Sequence, residues 1–134
     1  MSYTPTLVSE DEVRTFFSPY LETSVISSPS LLMVIYVVEQ YIKYRWYGGN
    51  SVPREDWSRA AALLLIASKL ANTAAAAEKY LNKVREKFPD YEYAFTSIQK
   101  APDSFTIQQT FEKMAMDILK SHSRTWKSID LVNF

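Results

Sequence analysis

The stretch Pro53-Arg-Glu-Asp-Trp-Ser-Arg-Ala-Ala-Ala-Leu-Leu-Leu-Ile-Ala-Ser-Lys-Leu-Ala-Asn72 decides how the rest of the chain must fold. Pro53 suits the first turn of a helix, and Glu55 and Asp56 stand where the helix dipole favours negative charge. Ala60 to Ala67 are consecutive non-polar residues of good helix propensity. A helix that is apolar on every side has to be covered on every side. The alanines let neighbouring helices come close, and Leu63, Leu64, Leu65 and Ile66 fill the space between them. The reading is a buried central helix over 53–71, wrapped by others.

Working outward, four more helices are expected. On the N-terminal side, Ser9-Glu-Asp-Glu12 is a capping box opening a helix over about 10–20, with Val13, Phe16, Phe17 and Tyr20 as its apolar stripe and Pro19 as a disturbance. Leu21 to Ser28 reads as a connection. Ser28-Pro29 reads as a cap followed by proline in the first turn of a helix over 29–46, which Gly48-Gly49-Asn50 ends. The first half of that helix is almost entirely apolar; Glu39, Lys43 and Arg45 suggest that only its far end meets water. On the C-terminal side, Asn72-Thr73 caps a helix over 74–88 with Ala77, Tyr80, Leu81, Val84 and Phe88 on one face. Asp90 to Pro102 has no sustained period and reads as a packed excursion. Asp103-Ser104 starts a helix over 104–120 with Ile107, Phe111, Met114, Ile118 and Leu119 at helical spacing, and the tail beyond Lys120 is open between helix and irregular structure. The expected fold class is all-α, one domain spanning 1–134 with five helices.

Composition excludes several classes. A chain of 134 residues is long enough to bury one core without staples. It has no cysteine, hence no disulfide framework and no thiolate site. Its 15 basic and 15 acidic residues cancel, which argues against electrostatically driven binding to nucleic acid or membrane surfaces. The apolar runs Leu31 to Val38 and Ala60 to Ala67 are too short to span a bilayer, and the N-terminus lacks a secretory pattern. An intracellular protein, nuclear or cytoplasmic, is expected.

Candidate chemistry is sparse. His122 is the only histidine, and near a helix end it is better explained by solvent and the helix dipole than by ligation. No Gly-rich phosphate loop, Glu-x-x-His pair or nucleophile motif occurs, so no catalytic residue, metal ligand or cofactor is assigned and an enzyme is not expected. Lys43-Tyr-Arg-Trp-Tyr47 mixes cations and rings as single-strand binding surfaces do, but snorkelling cations at a helix end account for it equally.

Leu63-Leu-Leu-Ile-Ala-Ser-Lys-Leu70 resembles the third helix of a cyclin box, in which a buried Ala-rich segment ends in Ala-Ser-Lys. The helix Phe105 to Lys120 is similar to the fifth cyclin helix in its opening Phe-Thr and closing Leu-Lys. Two positions depart from ordinary cyclins: Leu70-Ala-Asn-Thr73 replaces the acidic pair after the lysine, and Ala115 stands in place of the glutamate that partners the lysine. The tetrad Leu70 to Thr73, together with Phe16-Phe17, Lys87-Phe-Pro89 and Trp126, is instead similar to the Speedy/RINGO family of cyclin-like activators of cyclin-dependent kinases. There too one feature differs, since Ala74 to Ala77 occupies the place of an acidic run.

The resemblance implies a five-helix cyclin-box-like regulatory subunit that binds and activates a cyclin-dependent kinase, with Glu22, Lys69, Asn72, Thr73 and Glu78 as the kinase-binding residues. Without it, Lys69 is a cation at a helix C-terminus and Asn72-Thr73 a cap. The alternative function is a helical adaptor that holds a transcription factor or nucleic acid without a kinase partner.

Overall fold

The run Ala60 to Ala67 becomes the middle of the helix that, among the described residues, has the most buried positions. In the computed structural model, which describes residues 3–91 and 103–122, the elements in order are α1 (Glu10–Phe16), α2 (Ser28–Trp46), α3 (Asp56–Leu70), α4 (Ala74–Lys87), a 3-10 turn (Pro89–Tyr91) and α5 (Ser104–His122). The described residues are thus all-α, with five helices. Ala61, Ala62, Leu64, Leu65, Ile66, Ala67 and Ser68 are buried, while Ala60 and Leu63 are half-buried. Helix α5 packs most extensively against α3, and α2 covers another side of it. Trp57 at the start of α3 stacks on His122 at the end of α5, whereas Ser68 near the end of α3 meets Gln108 and Glu112 in the early turns of α5, so the two helices run antiparallel.

Several boundaries differ from the sequence expectation. Helix α1 stops at Phe16 rather than continuing to residue 20, because the residue before a proline is pushed out of the helical region and Pro19 has no N–H to continue the ladder. Its capping box forms as expected, with Glu12 N–H donating to Ser9 Oγ at 3.1 Å and Ser9 N–H to Glu12 Oε1 at 3.2 Å. Phe17 is fully buried and meets Tyr80 edge-on at 5.2 Å, while Phe16 packs near Phe88, so the aromatic pair docks α1 onto α4. Ser28 is not the cap of α2. Ser27 holds that position, and Ser28 Oγ donates to Glu10 Oε2 at 2.6 Å, joining the starts of α1 and α2.

Pro53 lies ahead of α3 instead of in its first turn. Glu55 is the N-cap, its N–H donates to Ser58 Oγ at 2.9 Å, and Ser58 Oγ donates back to the Pro53 carbonyl at 2.6 Å. Gly48 and Gly49 end α2 as expected, with φ of 57° and 90° that side chains seldom adopt. Thr73 caps α4, and Ala77, Tyr80, Leu81 and Val84 form its buried face. Helix α5 runs two residues beyond the expected end. Residues 92–102, Trp126 and the rest of the tail lie outside the described residues.

The largest departure concerns Glu39. Its position on α2 is buried, at 2 % exposure, rather than at a wet helix end. An N-terminal arm that carries no helical period packs against it: Leu7 and Val8 are each 1 % exposed. The Glu39 carboxylate accepts the backbone N–H groups of Thr6, Leu7 and Val8 at 2.9, 2.7 and 3.1 Å and the hydroxyls of Tyr3 and Thr6. A buried carboxylate is tolerable only when so completely bonded.

Candidate functional site

At the C-terminal end of α3 the last turn has carbonyls without helical partners. Gln108 of α5 donates its side-chain N–H to the Ser68 carbonyl at 2.9 Å, and Ser68 Oγ donates to Glu112 Oε1 at 3.0 Å. These bonds fix the end of α3 against α5 and set the position of the next residue, Lys69. Lys69 is exposed and, with Glu112, lines a groove of about 200 Å³ whose apolar wall comes from Val37, Tyr41, Leu65 and Met116. The Tyr41 hydroxyl lies 3.5 Å from Met116 Sδ, closing the groove between α2 and α5. One cation and one carboxylate therefore share a rim above an apolar floor.

Beyond Lys69 the chain turns at buried Ala71 into Asn72 and Thr73, both exposed. Thr73 Oγ1 accepts the Ala76 N–H at 3.2 Å, so Thr73 performs a capping role here. Ala74 and Ala75 face solvent, Ala77 is buried, and Glu78 is exposed one turn into α4. Lys69, Asn72, Thr73 and Glu78 are thus each exposed, around the turn that joins α3 to α4.

Glu22 is placed elsewhere. It is exposed in the connection between α1 and α2, where it lines a shallow depression with Arg14, Thr15, Ser18, Leu21 and Thr23, none of which lines the groove at Lys69. Arg14 organises that connection: its Nε bonds Glu10 at 2.9 Å, and its terminal nitrogens donate to the carbonyls of Leu21 and Ile26 at 3.2 and 3.0 Å.

The reading of the sequence missed Glu112. Ala115, where the cyclin resemblance places the glutamate, is fully buried in the core, while Glu112, one turn earlier, points to the rim. Its signal was available, since at 100° per residue Glu112 borders the buried stripe set by Phe111, Ala115 and Leu119. The contributions of Val37 and Tyr41 had no such signal, because an apolar α2 reads as buried on all sides.

His122 is exposed and stacks on Trp57 at 5.0 Å with planes 6° apart. Among the described residues no group of three or more histidine, cysteine, aspartate or glutamate side chains is placed to hold a metal ion, and no helix is long and apolar enough to cross a membrane. Comparisons of the chain with protein-family models, with curated proteins and with solved structures give no match.

Proposed function

We propose that this chain is a cyclin-box-like regulatory subunit, similar to the Speedy/RINGO proteins, that binds and activates a cyclin-dependent protein kinase and performs no chemistry itself. The observation that carries the reading is the rim pair Lys69 and Glu112 above the apolar wall of Val37, Tyr41, Leu65 and Met116. An apolar groove with one cation and one carboxylate suits a helix that inserts apolar side chains and offers polar groups on both sides. In a kinase that helix is the regulatory one whose docked position defines the active state. Activation is then a population shift: the partner binds the active conformation more tightly and so raises its share, and moving it from 1 % to 99 % needs a preference of about 5.5 kcal/mol.

Asn72, Thr73 and Glu78 extend the proposed contact along the α3–α4 junction, and Glu22 provides a second, separate point of contact. The experiment is a pull-down and histone-kinase assay of wild type and the double variant Glu22→Lys/Lys69→Glu. Wild type should bind and activate, and the double variant should do neither. Absence of binding by wild type to any such kinase would overturn the activator reading in favour of the adaptor.

A further inference from the structure

Helix α2 buries one apolar face, presents a second apolar face to solvent and hides its carboxylate. Met33 and Tyr44 are 61 % and 63 % exposed, and Tyr36, Val37 and Tyr41 also lie open, whereas Glu39 is buried. With 3.6 residues per turn, Met33, Val37 and Tyr44 fall within about 40° of each other on the outward face, and Tyr36 and Tyr41 form its shoulders. Half-buried Gln40 is the polar member of this spine. From Met33 to Tyr44 the ridge is about 16 Å long, roughly three helical turns. Singly scattered apolar residues need no explanation, but a contiguous ridge does. Tyrosine and methionine are moreover the residue types enriched in the cores of protein interfaces.

The charges that α2 itself sets beside the ridge, outside the core, have one sign. Lys43 and Arg45 are the other charged residues of α2, and they lie about 100° to either side of the spine. Lys43 Nζ sits 5.5 Å from the Tyr44 ring centroid and Arg45 rests over Trp46, so both cations are held by rings at the end of the ridge. Lys69 stands past the Tyr41 shoulder. The carboxylate on that side, Glu112, accepts the Ser68 hydroxyl.

We infer that the outer face of α2 docks an amphipathic helix of a partner protein, with apolar residues along its spine and acidic residues on its flanks. Such a helix meets the ridge at i, i+3, i+4 and i+7 and places carboxylates against Lys43 and Arg45. A second copy of this chain presents the same ridge but no exposed carboxylate on α2 to meet those cations. A single nucleic-acid strand could stack on the tyrosines, but the Met33–Val37 half of α2 carries no cation to meet its phosphates. The ridge shares Val37 and Tyr41 with the groove at Lys69, but Met33 and Tyr44 lie outside that groove, so substitutions at these two residues test the ridge apart from the kinase reading.

The test pans the full chain against a displayed library of amphipathic helical peptides, about 16 residues long, with a fixed apolar spine and randomised flanks. The best peptide is then measured by fluorescence anisotropy. Flanks should be enriched in Asp and Glu. Met33→Glu/Tyr44→Glu should weaken binding at least tenfold without a change in the circular-dichroism spectrum. Lys43→Glu/Arg45→Glu should weaken the acidic peptide tenfold and gain affinity for its lysine-flanked counterpart, an exchange that a folding defect would not produce. Failure to enrich any helix, unbiased or basic flanks, or binding untouched by Met33→Glu/Tyr44→Glu would overturn the inference. So would a dimer in sedimentation, or tight binding of oligo(dT), that is lost in Met33→Glu/Tyr44→Glu.

Discussion

The Glu39 carboxylate accepts the Leu7 backbone N–H at 2.7 Å, joining residues 32 apart in sequence inside the core. With the Thr6 and Val8 amides on the same carboxylate, this side chain takes the place of a strand partner for the N-terminal arm. Glu39→Ala should therefore leave several buried donors unpaired and cost about 3 kcal/mol or more in urea unfolding, and Glu39→Gln, which keeps one oxygen, should cost less. Equal stability of wild type and Glu39→Ala would show that the arm contributes nothing.

Burial, and after it the bonded and charged Glu39, pushes the Tyr3 hydroxyl up to about 12 from its usual 10.0. The folded state thus retains a proton that the unfolded chain loses first. The stability from this group is complete below pH 10 and should disappear as pH rises to 12. Burial raises Tyr47 and Tyr80 as well, so they add to the same loss. In thermal melts, Tyr3→Phe should reduce the decline between pH 10 and 12, and an identical decline in the variant would remove Tyr3 as a cause.

On the acid side the sign is opposite. The Ser28 hydroxyl and then Arg14 hold Glu10 below its usual value; burial raises Glu12, but the bonds from Arg59 and Ser9 outweigh it and leave it lowered. Stability from these carboxylates is present above about pH 4.3, the range of a free glutamate, and should be lost as pH falls through their lower folded values. Glu10→Gln should flatten the dependence of melting temperature on pH between about 5 and 3.

Ala61 and Ala67 are fully buried against neighbouring helices. Leucine at either position should cost on the order of 1 to 3 kcal/mol by overpacking, while the exposed Ala74 should accept substitution within about 0.5 kcal/mol. Denaturant titrations of the three variants would separate these cases.

Because Ala74 and Ala75 are exposed beside Thr73, they can carry charge without disturbing the core. In the kinase pull-down, Ala74→Glu/Ala75→Glu should strengthen binding several-fold if the α3–α4 junction is the contact. Glu22→Lys/Lys69→Glu should abolish binding with a melting temperature close to wild type, since like charges in a partly desolvated interface cost several kcal/mol. Equal binding by both variants and wild type would exclude that surface.

The sequence alone determined that the described chain is helical and that Ala60 to Ala67 lies in its central helix, because eight apolar helix-formers in a row favour burial; six of them are buried, and Ala60 and Leu63 are half-buried. It also determined the Ser9–Glu12 box, the Gly48-Gly49 stop and the inward faces of α4 and α5, since caps and 3.6-residue periods act locally. Tertiary structure decided what those local rules do not contain. An almost uniformly apolar α2 does not say which side faces out, and that choice was made by α3 on one side and by the arm that Glu39 captures. The same holds for the groove: Lys69 and Glu112 are 43 positions apart, and only the antiparallel packing of α3 against α5, held by Ser68 and Gln108, brings them to one rim. Contacts between distant segments depend on the geometry of packed helices, which a single helix's period does not encode.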